Sequence, residues 1–189
     1  MSDQQILIYD DLVPSTLRKK LSLRLNQPIW QFGWRSNIAS DKYCYWHSHF
    51  AGGGIANRSS CATELKSLSS SPIYELWQIL GAVLLQGHEP LRIYANAHTF
   101  GAEGYCHKDN ENSANYFSTI YYAHSDWDKN WGGELIFYDS NNEIVKTVSA
   151  KPGRIVHFPG HIIHKVSALT KECPHLRISL VFKTQTGGA

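Results

Sequence analysis

No run of apolar residues in this chain approaches the length of a membrane span, so no membrane partner is expected. The four cysteines, Cys44, Cys61, Cys106 and Cys173, show no C-x-x-C or finger spacing; reduced thiols are the expectation. The first twelve residues contain acids but neither a basic segment nor an apolar core of signal-peptide length, which points to a cytoplasmic protein. Formal net charge is only +2 and no basic stripe stands out, so nucleic acid is not an expected partner. No internal repeat is evident.

What is present is an ordinary globular balance, 42% hydrophobic and 18% charged. Its 189 residues predict one domain, 1–189, with a proper core. Histidine is plentiful, and six of the ten lie between positions 98 and 164. Aromatics at 12% suit a β-rich protein with a pocket.

Residues 6–9 read as a short strand. Pro14 opens a helix in which Leu17, Leu21 and Leu25 recur every fourth residue, with Arg18, Lys19, Lys20 and Arg24 on its solvated side. The alternation Tyr43, Tyr45, His47, His49 describes a strand with one decorated face. Its aromatics either complete the core or, with Arg35, wall a substrate pocket. Gly52-Gly53-Gly54 and the serine-rich run 59–71 read as loops. Ser71-Pro72 starts a second helix whose apolar stripe is Ile73, Leu76, Trp77, Leu80, Val83 and Leu84, ended by Gly87. After Pro90 the pattern changes to strands at 91–97, 116–123, 133–138, 144–148, 154–158 and 176–183, with turns at 139–142 and 151–153. The fold class expected is mainly β with supporting helices: 1–89 supply a strand, helices and loops, and 90–183 the sandwich or barrel core.

Within Tyr105-Cys106-His107-Lys108-Asp109, two ligand-type side chains sit two apart. On an extended strand, residues i and i+2 share a face. A further histidine from His161-Ile162-Ile163-His164 would complete a set of two imidazoles and one carboxylate with an open face, as in non-haem Fe(II) oxygenases. Taken alone, His-x-Asp is a weak motif, and its weight depends on what else the chain supplies.

In order, the second half presents Tyr94, His107-x-Asp109, Tyr121-Tyr122, Trp131-Gly132-Gly133-Glu134-Leu135, Pro152-Gly153-Arg154, Phe158, His164-x-Val166 and Arg177-x-Ser179. Over about residues 90–183 this series resembles the Fe(II)/2-oxoglutarate-dependent oxygenases, particularly their prolyl-4-hydroxylase-like branch. The resemblance implies a double-stranded β-helix (jelly roll) and, as cofactors, Fe(II), 2-oxoglutarate and O2. It makes His107, Asp109 and His164 the iron ligands, since His164-Lys165-Val166 matches the family's distal His-x-Val. It also implies that Arg177 pairs with the far carboxylate of 2-oxoglutarate, assisted by Tyr122, while Tyr94 reaches the other end and Ser179 adds a hydroxyl. A guanidinium suits that role, because it stays charged and presents paired donors.

The departures narrow the substrate. Asp109 stands where halogenating relatives carry a small residue, which favours hydroxylation. Nucleic-acid demethylating relatives carry a second arginine six residues after the first, and here that position is Lys183. The loops before His107 and before Arg177 are longer than in the oxygen-sensing enzymes, which argues against peptidyl-proline. The expectation is therefore a dioxygenase that hydroxylates an unactivated C–H of a small polar metabolite and releases succinate and CO2. Its substrate contacts are expected from Arg35, Trp46, His47, His49 and Tyr105, whereas His98, His124, His157, His175 and Cys106 are read as structural. The alternatives are a prolyl hydroxylase acting on a peptide or protein, and a cupin-like binding module without turnover. The last requires the Arg177 and Tyr122 pair to be accidental.

Overall fold

The computed structural model describes residues 5–38, 41–54, 59–111 and 114–187. Its strands form two antiparallel sheets, as a jelly roll requires. The larger runs β1 (Leu7–Tyr9), β8 (Ile155–Pro159), β5 (Tyr116–Tyr122), β10 (Arg177–Thr186), β4 (His88–His98), β3 (Tyr45–Gly52) and β2 (Gln31–Trp34) in spatial order. The smaller is β7 (Ile144–Val148), β6 (Leu135–Tyr138) and β9 (Ile163–Val166). Residues 104–107 lie along the free edge of β9. There Gly104 N–H donates to Val166 O, and His107 and His164 exchange backbone hydrogen bonds at 3.1 and 3.0 Å.

Strand alternation sorts the side chains of the large sheet into two cores. Ile93, Ala95 and Ala97 of β4 and Ile178, Leu180 and Phe182 of β10 face the helices α1 (Ser15–Leu25) and α3 (Pro72–Val83). They pack there with Leu17, Leu21, Leu25, Ile73, Leu76 and Leu80. Each buried leucine, isoleucine or phenylalanine among them stabilises the fold by about 1.5–3 kcal/mol. The opposite face of the sheet turns Tyr94, Ile120, Tyr122, Phe158 and Val181 toward Leu135 and Phe137 of the small sheet in a second core. Polar residues of the same strands extend that inner face into a cavity.

Both expected helices are present and begin beside their prolines. Ser71 caps α3 by accepting from Ile73 N–H. Helix α3 ends at Val83, and Gly87, with φ 74°, serves the turn into β4. Strand β4 starts at His88, earlier than the expected 91. Its register with β10 slips between Lys183 and Thr184, beside Pro90, which has no N–H to give the ladder. The serine-rich run is not all loop: it contains α2 (Ala62–Ser67), anchored by buried Leu65 and by Glu64, whose carboxylate accepts from Gly52 N–H at 2.7 Å. Six residues are too few to display a helical period. Strands β2 and β9 also carry too few residues to alternate legibly. All four cysteines are free. Among the described residues, no helix is long and apolar enough to cross a membrane.

Candidate metal and co-substrate site

His107 and His164 face each other as a hydrogen-bonded cross-strand pair, so both imidazoles leave the sheet on one side. Their ring centroids are 4.5 Å apart. Asp109 follows two residues after His107, and its N–H is tied to Gly160 O at 2.8 Å. Each imidazole uses Nδ1 against the carbonyl two residues before it, Tyr105 O at 2.8 Å for His107 and Ile162 O at 2.9 Å for His164. That assigns the proton to Nδ1 in both rings and leaves both Nε2 atoms as bare donors aimed inward. They lie 3.5 and 3.6 Å from the Asp109 carboxylate, and the three ligand atoms are all within 4.8 Å of one another. The donor chemistry and spacing fit a divalent transition ion. His161, the other histidine of the motif, lies in the turn before β9 and outside this cluster.

The carboxylate is oriented as well as charged. Ser118 Oγ donates to Asp109 Oδ2 at 2.5 Å, and the Lys183 ammonium contacts the same oxygen while donating to Ser118 Oγ at 2.8 Å. Burial alone would raise the Asp109 carboxyl. The Lys183 charge and the two imidazoles outweigh it and hold the group well below its ordinary value. Burial pushes the His164 imidazole down to about 4, whereas at His107 the Asp109 hydrogen bond and charge overcome burial and push it up. In the sequence Lys183 stands out only as the residue that sets aside one branch of relatives. Its contact with Asp109 follows from the pairing of β10 with β5, which sets Lys183 beside Ser118.

At another part of the same cavity Arg177 is completely buried. Its Nε donates to Gly133 O at 2.6 Å and its Nη2 to the Tyr122 hydroxyl at 3.3 Å, while Nη1 is buried with no partner. A buried guanidinium nitrogen without an acceptor is costly, which fits an incoming carboxylate. Gly133 makes the position possible. Its φ is 76°, and a Cβ there would stand 2.8 Å from Arg177 Cδ and from Leu169 Cδ2. The Gly132-Gly133 pair was visible in the sequence, but only as a turn. His98, read there as structural, is opposite Arg177 in register, lines the cavity and has an unpartnered Nδ1. Burial and the Arg177 charge push its imidazole down to about 3, so it is neutral. Tyr94 and Ser179 line the same cavity, and Ser179 Oγ reaches Asn96 O at 3.5 Å.

The five expected substrate contacts are not brought together. His47 is buried, hydrogen-bonded to Asn96 Oδ1 at 2.9 Å and stacked on Trp34 at 3.9 Å. It therefore supports the cavity wall that Trp34 and Asn96 form. His49 is on the same strand face but exposed, 6.4 Å from the His47 ring. Trp46 alternates to the other face and packs on the helix-side core with Phe32. Arg35 donates to Asp41 O and lines a separate shallow depression beside Trp34. Half-buried Tyr105 contributes its carbonyl to His107. In their place the wall holds Trp34, Ser36, Tyr45, Arg92 and Asn96. Tyr45 and Asn96 keep the alternation that puts His98 and Tyr94 inward. Trp34 and Ser36 arrive through the β2–β3 hairpin, which the sequence did not show.

Comparison with known proteins follows the same residues. Residues 93–182 match the family model of the 2OG-Fe(II) oxygenase superfamily. A prolyl-4-hydroxylase from Pseudomonas putida has a similar structure, with TM-score 0.60, 16% identity, and coverage of 97% of this chain and 94% of that one. An oxidoreductase of the 2OG-Fe(II) oxygenase family from Burkholderia pseudomallei gives TM-score 0.68 at 13% identity, covering 99% and 88%. A prolyl hydroxylase from Trichoplax adhaerens, in complex with a hypoxia inducible factor oxygen degradation domain peptide fragment, gives 0.63 at 16%, covering 97% and 84%. At these identities the likeness concerns the fold. No curated protein gives a sequence match. The match over residues 93–182 takes in His107, Asp109, His164 and Arg177, so the segment that carries the candidate site is the one similar to the 2OG-Fe(II) oxygenase superfamily, enzymes that use Fe(II), 2-oxoglutarate and O2.

Proposed function

We propose that residues 1–189 form one oxygenase domain that hydroxylates an unactivated C–H of a small polar metabolite. His107, Asp109 and His164 would hold Fe(II) through two Nε2 atoms and the carboxylate. Arg177, with the Tyr122 hydroxyl, would receive the far carboxylate of 2-oxoglutarate, and Tyr94 and Ser179 would contact the rest of that molecule. The observation that carries the reading is the buried Arg177 Nη1, unpartnered in the same cavity as the His-Asp-His cluster. Bound Fe(II) supplies O2 activation coupled to conversion of 2-oxoglutarate into succinate and CO2.

The chain's own residues prepare that chemistry. The backbone carbonyls at Tyr105 and Ile162 keep the metal-facing nitrogens unprotonated. Ser118 and Lys183 fix the carboxylate, so that little reorganisation accompanies metal binding. A small polar substrate is supported by the wall itself, where Trp34 and Tyr45 offer aromatic faces and Ser36, Asn96 and Arg92 offer polar groups. A reducing, cytoplasmic setting suits four unpaired thiols.

Metal titration of the ligand variants tests the assignment. His164→Ala should lose Mn(II) binding measured by calorimetry and Fe(II)-dependent succinate formation, and His161→Ala should keep both. The opposite pattern would reassign the ligand. Stimulation of succinate release by amino acids and other small polar metabolites, compared with proline-containing peptides, decides the substrate class. Stimulation by the peptides alone would overturn the metabolite reading.

A further inference from the structure

Arg92 enters the cavity from β4 beside the Tyr94 side chain and forms no ion pair among the described residues. It lies two residues before Tyr94 on the same strand face, its guanidinium carbon 4.6 Å from the centre of the Tyr94 ring. Both its Nε and its Nη1 are buried, and neither has a hydrogen-bond partner. Its cross-strand neighbour on β10 is Lys183, a buried cation. Among the described residues Asp109 is the single carboxylate on the cavity wall, and Lys183 already engages it. Arg177 is matched by the co-substrate carboxylate in the reading above, and Lys108 is exposed to solvent. Arg92 is the cation left over. Sequestering guanidinium nitrogens without an acceptor is expensive, and their planar donor set matches a carboxylate or a phosphate.

We propose that Arg92 sets substrate specificity by receiving an anionic group, carboxylate or phosphate, of the molecule that is oxidised. This rests on the oxygenase reading and sharpens it: the small polar substrate is an anion anchored at Arg92 in the cavity that holds the His107, Asp109 and His164 cluster. The face of Tyr94 beneath the guanidinium holds it in place.

The test uses the full chain loaded with Mn(II) and saturating 2-oxoglutarate, titrated calorimetrically with matched probes. The pairs are benzoate and benzamide, N-acetylglycine and N-acetylglycinamide, and phenyl phosphate and phenol. At least one anion should bind roughly tenfold or more tightly than its neutral partner. The carboxylate and phosphate arms then separate the two sources of charge. Arg92→Gln should abolish the preference and Arg92→Lys retain part of it. In both variants the dissociation constants for Mn(II) and 2-oxoglutarate should stay at the wild-type values. The proposal is overturned if no anion is preferred by the wild type, or if the preference survives in Arg92→Gln. It is equally overturned if Arg92→Gln weakens 2-oxoglutarate, which would make Arg92 part of the co-substrate site. A wild type that bound neither Mn(II) nor 2-oxoglutarate would sink the oxygenase reading first, and this one with it.

Discussion

Arg177 concentrates the energetics of the site in one side chain. Two of its contacts are set by its surroundings, Gly133 O taking Nε and the Tyr122 hydroxyl taking Nη2, and Nη1 is left to an incoming group. Burial pushes the guanidinium down from its ordinary value, but so strong a base remains charged at any working pH. Loss of a charge-assisted pair from a buried position costs roughly 2–5 kcal/mol. Arg177→Ala should therefore raise the apparent Michaelis constant for 2-oxoglutarate by orders of magnitude while Mn(II) affinity stays close to wild type. Tyr122→Phe, which removes one hydroxyl at 3.3 Å, should act in the same direction but less. An unchanged constant in Arg177→Ala would remove the reason for placing the co-substrate there.

At the scale of elements, two devices build the site. The first is the cross-strand pair, in which residues 104–107 extend the small sheet and so aim His107 and His164 together. The second is the Gly132-Gly133 turn leading into β6, where both glycines have φ near 75°. A side chain at such φ costs about 1–2 kcal/mol in backbone strain alone. Gly133→Ala would add a contact at 2.8 Å with Arg177 Cδ, whereas Gly87→Ala, at φ 74° with nothing within 4 Å, carries only the strain. Both variants should lower the melting temperature by a few degrees, but only Gly133→Ala should weaken 2-oxoglutarate, by about tenfold or more. Equal 2-oxoglutarate affinity in the two would mean that Arg177 is free to move.

For the whole molecule, the buried histidines predict how stability depends on pH. Burial pushes His47 and His157 down to about 4 and His98 and His124 to about 3. In the unfolded chain each titrates near 6.5. Between about pH 4 and 6.5 the unfolded state therefore binds protons that the native state does not, and stability rises with pH across that window. Each histidine contributes a slope of up to about 1.4 kcal/mol per pH unit. His107, held above its ordinary value beside Asp109, keeps its proton more tightly in the folded state, so its contribution changes only above about pH 6.5, outside that window. Below that window Asp10 adds to the loss, because Arg154, just before β8, hydrogen-bonds its carboxylate and holds its pKa down. Urea midpoints of the metal-free protein should fall steeply from about pH 7 to about pH 5. A flat midpoint over that range would show that these imidazoles reach water in the native state.

The sequence by itself determined the parts that depend on local order. Alternation in strands of five or more residues, leucines at every fourth position of α1, and Ser71-Pro72 at the start of α3 all act within one element. His107-x-Asp109 needed only the rule that i and i+2 share a face, and Arg177 was named through an ordered series of motifs. Tertiary structure decided what depends on neighbours distant in the chain. Whether Trp46 faces the cavity or the helices follows from the register of β3 on β4, which puts Trp46 opposite Ala97 and His47 opposite Asn96. Arg92 and Lys183 become neighbours only because β4 and β10 pair at that register. Burial, which turns an ordinary strand arginine into an unpaired cation and an ordinary histidine into a neutral one, is a property of the packed sheets and of no residue alone.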